Sequence, residues 1–501
     1  MIGEKELLKL QNGSDIRGVA MEGVPGELVT LPPAVANRIA RAFVRFLIAR
    51  TGKKPREITV AVGTDSRLTA ESLRNEALSA IIASGAKALD CGMASTPAMF
   101  MALKFDETRA DGSIMVTASH MPSNRNGMKF FTQEGGLENS DITSILKMAA
   151  EETPKTASLE AARPCALITR YTRFLRERIC AGLPEFGAHP LEGMHIIVDA
   201  GNGAGGFFAS EVLGLLGADT SGSLYLDPDG HFPNHVPNPE NAAALCDLQK
   251  AVLNRHADLG LIFDTDVDRM GAVLSDGTEI SRNSLIALIA AILAPGNPGG
   301  VIVTDSVTSD ELTVFLEKEL GLKHHRFKRG YKNVINESLR LRAEGINSPL
   351  AIETSGHGAM AENYFLDDGA YLAVKLLVAA ARLHREGRPL ASLIEKLGHP
   401  AESVEYRLRI TGAEDAKAVG AEALTQLAER ARESGIGIAE PSYEGVRLIF
   451  PEGWALLRLS LHDPEMALNI EGRQRGSAAR IARRVAGFLT DVEHLELSRL
   501  L

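Results

Sequence analysis

Residues 117–129 read TASHMPSNRNGMK, and they follow the apolar run GSIMV. Ser119 and His120 stand where that run breaks, and Lys129 lies just beyond in a second apolar stretch. A strand that delivers a hydroxyl to its end, with an imidazole and an amine close by, presents a nucleophile suited to group transfer. The same residues would also make an ordinary polar turn. A second stretch, GLIFDTDVDRMGAVLSDG (260–277), leads from a strand-like run into Asp264, Asp266 and Asp268, followed by Arg269. Three carboxylates at alternate positions repel one another unless a cation gathers them, and oxygen-only donors favour Mg²⁺ or Ca²⁺ over zinc. An EF-hand would need Gly at the sixth position and Glu at the twelfth. Arg269 and Ser275 stand there instead. A guanidinium beside such a loop suits a bound phosphate; a solvated acidic loop is the plainer alternative.

Smaller clusters accompany these two. AIETSGHGAM (351–360) carries Glu353 and Ser355, suited to sugar hydroxyls, and His357, either a catalytic acid or a loop histidine satisfied by its neighbours. RGYKNVI (329–335) presents Arg329 and Lys332, and RLSLHDPEMALNIEG (458–472) presents Arg458, Ser460 and His462. Arg17 in GSDIRG and Arg67 in GTDSR flank the first sheet as substrate ligands or as interface residues. DAGNGAGG (199–206) sets Gly201, Gly203 and Gly206 in dinucleotide-loop spacing, with Asp219 further on. It stands mid-chain with no second half, so a structural strand-to-helix turn is the better reading.

Short β-branched runs alternating with helical patterns must position these residues. EITVAVGTDSR, MHIIVDAGNGAGG and GGVIVTDSVTS each end a strand in a polar loop before a helix. That alternation predicts sheets with helices on their faces and ligands at the carboxyl ends of the strands. From about residue 399 the pattern changes to strands around a helix, AEDAKAVGAEALTQLAERARES, and a last helix near Gly476. The fold expected is α/β: three α/β domains with mixed or mostly parallel sheets, plus a smaller C-terminal α+β domain, around a central cleft. Seams fall at 1–153, 154–278, 279–398 and 399–501.

The 501 residues exceed what one core accommodates. A net charge of −10 argues against nonspecific nucleic-acid binding. Cys91, Cys165, Cys180 and Cys246 are scattered without metal or disulfide spacing, which suggests a reducing cytoplasm. No apolar run is long enough to span a bilayer, and the charged first residues do not read as a signal peptide.

Taken in order, these stretches resemble the α-D-phosphohexomutase superfamily, which includes phosphomannomutase/phosphoglucomutase. The family loops TASHNPxxxNGxK, DGDxDR and GExSGH match TASHMPSNRNGMK, DTDVDR (264–269) and IETSGH (352–357). DIRG, PDGHFPNHVPNP (228–239) and RGYK fall in family order, so the likeness spans nearly the whole chain. It implies that Ser119 is a phosphoserine and that Mg²⁺ is held by Asp264, Asp266, Asp268 and a phosphoserine oxygen. It assigns proton handling and charge stabilisation to Lys129 and Arg17, with His120 helping to hold the phosphoserine. Arg269, Arg329, Lys332, Glu353, Ser355, His357, Arg458, Ser460 and His462 are implied to bind substrate. The implied reaction interconverts hexose 1-phosphate and hexose 6-phosphate, of glucose and/or mannose, through a hexose 1,6-bisphosphate, in a monomer or homodimer.

The chain departs from the pattern in three loops. Met121 replaces the Asn after Ser-His, Thr265 a Gly in the metal loop, and in the last domain His462 and Asn469 stand for Thr and Arg. The first and last changes resemble relatives that act as glucose-1,6-bisphosphate synthases using fructose 1,6-bisphosphate as donor. A dinucleotide-dependent dehydrogenase and a noncatalytic sugar-phosphate-binding protein are the readings from other classes.

Overall fold

The computed structural model describes residues 2–460 and 464–500. The chain folds into two compact units, Met1–Ile292 with Ser355–Leu393, and Leu293–Thr354 with Ile394–Leu501.

The first unit contains two mixed sheets. In the larger, Thr59–Thr64 lies between Lys87–Met93 and Gly112–Val116, parallel to both, and Arg125–Thr132 returns antiparallel beside Gly112–Val116. Asp15–Val19 extends that antiparallel edge. Every residue of Gly112–Val116 is buried, with helix Pro33–Thr51 on one face and helix Thr96–Met101 on the other, where Ser113 Oγ donates to the Met99 carbonyl. Helix Pro33–Thr51 has proline in its first turn and stops at Gly52 in the left-handed region at φ 70°, where glycine pays no Cβ penalty. Its inward stripe of Val35, Ile39, Phe43 and Leu47 is buried against Val60, Val62, Ile114, Val116, Met128 and Phe130. Phe43 and Phe130 meet at 4.9 Å between ring centroids.

In the smaller sheet Ile196–Asp199 pairs in parallel with Leu259–Phe263, which turns back as Met270–Leu274. Helix Ala242–Arg255, capped by the Asn241 side chain on the N–H groups of Ala243 and Ala244, covers it with Ala244, Leu245, Leu248 and Val252.

In the second unit Val301–Thr304 lies parallel to and between Lys323–Arg326 and Leu350–Ile352. A five-stranded antiparallel sheet follows, with Glu402–Arg409, Glu465–Gly472, Gly453–Leu459, Val446–Phe450 and Gly437–Ile438 in spatial order. Alternate residues Leu408, Leu448, Leu457, Met466 and Leu468 join Ala423, Leu427, Ile481 and Val485 of two helices in one core. The expected α/β sheets and the α+β final domain are both present. No helix among the described residues is long and apolar enough to cross a membrane.

Candidate active site

Strand register places Lys129. Gly127 faces Arg17 across the antiparallel pair, and a Cβ at Gly127 would lie 2.3 Å from the Ile16 carbonyl oxygen. Only glycine permits that approach, and it sets Lys129, two residues on, opposite Met115. Arg17 and Lys129 thus occupy the sheet face away from the helix Pro33–Thr51 core. Arg17 is ion-paired to Asp15 at 3.0 Å.

Ser119 sits past the end of Gly112–Val116 with φ +51°, an uncommon conformation for a residue with a side chain. Its N–H donates to Thr117 Oγ1 at 2.9 Å, and Thr117 Oγ1 donates to Asp65 Oδ2 at 2.6 Å. The Arg67 guanidinium, buried, donates to the carbonyls of Ser119, Met121, Pro122 and Arg125 at 2.5, 2.6, 2.8 and 2.9 Å. Phe232 lies beneath it, 5.4 Å from ring centroid to guanidinium carbon. Arg67 is therefore a clamp on the serine loop. The sequence showed the arginine but not its acceptors, which lie some fifty residues away in the chain.

Asp264–Arg269 forms the connection between two buried strands whose ends pair Phe263 with Met270. Ser119 Oγ donates to Asp264 Oδ2 at 2.9 Å and lies 3.2 Å from His120 Nδ1. Arg269 Nη2 donates to Ser119 Oγ at 3.2 Å and to His120 Nδ1 at 2.6 Å, which fixes Nδ1 as an acceptor. Burial, with Arg269 and Arg17 nearby, pushes His120 down to about 3, so the ring is neutral. Lys129 Nζ donates to Asp266 Oδ2 at 2.9 Å and is ion-paired to Asp268. Thr96 Oγ1 donates to the same Asp266 oxygen at 2.5 Å. His357 Nε2 lies 3.7 Å from Asp268 Oδ1, and His357 Nδ1 is 2.9 Å from Ser355 Oγ.

The three aspartates fit a divalent cation. One oxygen from each lies within 4.8 Å of the others, all three residues are buried, and Asp266 Oδ1 and Asp268 Oδ1 have no hydrogen-bond partner among the described residues. Lys129 and Arg269 supply two positive charges against three negative ones. Burial, then Asp268 and Asp266, drive the Asp264 carboxyl well above its ordinary range. Burial also raises Asp268, but Lys129 and Arg269 overcome it and hold that carboxyl low. Gly203 supports this loop: a Cβ there would meet Thr265 O at 2.7 Å and Thr265 Cα at 2.8 Å, while Ala204 N–H donates to Thr265 O at 2.8 Å. The glycine-rich stretch is a structural turn packed under the aspartates.

In the second unit, Glu353 follows Leu350–Ile352 and accepts the Gly330 N–H at 2.6 Å. Arg329 N–H donates to Glu444 Oε2 at 3.0 Å, and Arg458 Nη1 lies 3.9 Å from Glu444 Oε1. Glu444 thus links Arg329 to Arg458, although SYEGVR gave no signal of it in the sequence. Lys332 is in the first turn of helix Tyr331–Ala343. Ser460 N–H closes on Glu465 O at 2.9 Å, and His462 lies outside the described residues. Arg458 and Arg407 both pair with Ala467, so they flank a small residue in one row of the sheet. Asn469, on the same face, donates to Glu405 Oε2 at 2.8 Å. The sequence-predicted residues therefore gather in two groups. Ser119, His120, Lys129, the aspartates, Arg269, Ser355 and His357 belong to the first unit, with Arg17 on a neighbouring strand. Arg329, Lys332, Glu353, Arg458 and Ser460 belong to the second.

A serine hydroxyl on an aspartate cluster, in a chain of three α/β layers and an antiparallel tail, defines a class that comparison makes specific. The descriptions "Phosphoglucomutase/phosphomannomutase, alpha/beta/alpha domain I", "domain II" and "domain III" match residues 8–156, 170–277 and 281–400. A phosphomannomutase/phosphoglucomutase of Pseudomonas aeruginosa is 30% identical over 469 residues, covering 93% of this chain and 94% of that protein. A phosphoglucomutase/phosphomannomutase of Thermococcus kodakarensis is 28% identical over 477 residues, covering 94% and 96%. The crystal structure of a phosphoglucomutase/phosphomannomutase family protein from Burkholderia thailandensis superposes with a TM-score of 0.79 at 28% identity, covering 99% of this chain and 100% of that one. The chain belongs to the phosphoglucomutase/phosphomannomutase family of the α-D-phosphohexomutase superfamily.

Proposed function

We propose that this protein is a Mg²⁺-dependent phosphohexomutase that interconverts hexose 1-phosphate and hexose 6-phosphate, of glucose and/or mannose, through a phosphoserine at Ser119 and a hexose 1,6-bisphosphate. The observation that carries the reading is Ser119 Oγ, 2.9 Å from Asp264 Oδ2 and 3.2 Å from Arg269 Nη2 at the head of the aspartate cluster. The names of the relatives support the reaction class. Asp264, Asp266, Asp268 and a phosphoserine oxygen would hold Mg²⁺, which when bound offsets charge on the transferring phosphoryl group.

The chain's own residues do the rest. A sugar hydroxyl attacks phosphorus as the bond to Ser119 Oγ breaks, and Arg269 donates to the departing oxygen. Lys129, tied to Asp266 and Asp268, is the group assigned to proton handling, with Arg17 stabilising charge. His120, neutral, orients the serine through the Arg269 guanidinium they share. Arg329, Lys332, Glu353, Ser355, His357, Arg458, Ser460 and His462 are assigned to the sugar phosphate. The domain limits 1–153, 154–278, 279–398 and 399–501 belong to the same proposal.

Phosphorus NMR tests it, with purified protein, Mg²⁺, glucose 1-phosphate and either trace glucose 1,6-bisphosphate or stoichiometric fructose 1,6-bisphosphate. Rapid glucose 6-phosphate formation with the trace activator is expected, and Ser119→Ala should abolish it. Glucose 1,6-bisphosphate accumulating only with the fructose donor would make the protein a bisphosphate synthase. Full activity in Ser119→Ala would overturn the phosphoserine.

A further inference from the structure

Two of the four cysteines lie on neighbouring stretches of backbone. Leu89 pairs with Arg163 and Asp90 with Pro164 in parallel, and the Cys165 N–H donates to the Asp90 carbonyl at 2.8 Å. Cys91 follows Asp90 directly, at a bulge in its strand, and so lies beside Cys165. Neighbouring strands are about 5 Å apart, within the roughly 4.4–6.8 Å that a disulfide spans at Cα.

Their surroundings are unequal. Cys91 is 7% exposed, whereas Cys165 is only part-buried. Arg170 Nη1 lies 3.4 Å from Cys165 Sγ, and the 16-residue helix Leu167–Gly182 starts two residues later. A guanidinium and a helix N-terminus both favour a thiolate over a thiol. A hydrogen bond from Cys91, helped by Arg170 and Arg163 against burial, brings the Cys165 thiol down to about 7. The same hydrogen bond and burial push Cys91 well above its ordinary value.

We propose that Cys165 is a thiol modification site for peroxides and that Cys91 is its resolving partner. The Cys165 thiolate attacks one peroxide oxygen, the O–O bond breaks, and hydroxide leaves to become water. Cys165 is then a sulfenic acid. Cys91 gives up its proton, attacks that sulfur and displaces hydroxide, so a second water leaves as the disulfide forms. Two electrons pass from the two thiols to one peroxide. The bridge would tie strand Lys87–Met93, which leads to the Asp266-holding Thr96, to the segment that opens helix Leu167–Gly182.

The test uses the native protein, in which the part-buried Cys180 and Cys246 serve as internal controls. Iodoacetamide at pH 7 followed by peptide mass spectrometry should label Cys165 about three- to tenfold faster than those two, a ratio set by its thiolate fraction less its lower nucleophilicity. One equivalent of hydrogen peroxide should give a Cys91–Cys165 linked peptide that dithiothreitol reverses. In Cys91→Ser the same treatment should leave Cys165 as a sulfenic acid trapped by dimedone. Equal labelling of Cys165, Cys180 and Cys246, or peroxide consuming Cys165 in the native protein without linking it to Cys91, would overturn the proposal.

Discussion

Arg67 Nη2 donates to the carbonyl oxygen of Ser119 at 2.5 Å. The backbone of the serine proposed as nucleophile is therefore held by a fully buried side chain. Three more carbonyls of the same loop close on that guanidinium, and Asp65, through Thr117, fixes the Ser119 N–H from the other side. A residue at φ +51° stays there only when its surroundings over-determine it, and this clamp does so.

Replacing the fork by a point charge should release the serine without removing the charge. Arg67→Lys is expected to lower kcat by about 10²-fold while KM changes less than about threefold, since misplacement of a reacting group by an ångström costs that much. Steady-state kinetics, with circular dichroism to confirm the fold, would check it. A rise in KM at constant kcat would instead make Arg67 a substrate-binding residue.

Gly203→Ala should disturb the aspartates from beneath. The added methyl would sit 2.7 Å from Thr265 O, so the loop must shift. Calorimetric titration with Mg²⁺ should show affinity reduced by about tenfold, the scale on which residues supporting a metal loop act. Unchanged affinity would separate this glycine from the cation site.

Glu353 gives a pH signature. Burial, reinforced by Asp305, pushes its carboxyl up to about 8 against an ordinary 4.5. The folded protein therefore keeps a proton that the unfolded chain sheds, and stability falls as pH rises from about 4.5 to about 8. Glu353→Gln, which mimics the protonated form, should match the parent near pH 5 and be more stable by roughly 1–4 kcal/mol at pH 9. Denaturant unfolding at both pH values measures this. A variant destabilised equally at both would mean the carboxyl is ionised in the folded state.

The sequence revealed strand-ending polar loops well, because a buried strand that stops at Ser119 or Asp264 leaves an abrupt apolar-to-polar edge. Glycine-rich spacing at 201–206 suggested a cofactor only on paper; its physical role, room for the Thr265 backbone, depends on a contact sixty residues away. Thr96, Glu444 and the acceptors of Arg67 escaped for the same reason. Each acts through partners distant in the chain, and nothing local marks a buried clamp or a linking carboxylate. Arg407 became visible only through register, which places it beside Ala467 and in one row with Arg458.

Ser119, Lys129 and the three aspartates belong to one compact unit, whereas Glu353, Arg329 and Arg458 belong to the other. Under the proposed assignment, the residues given to the sugar phosphate, Arg269, Ser355 and His357 excepted, are held in a packing environment apart from the phosphoryl-transfer apparatus. Drift in the second core can retune which hexose is accepted while the first is kept intact by its own contacts. Asn469, standing where the family pattern has an arginine, lies in that second core.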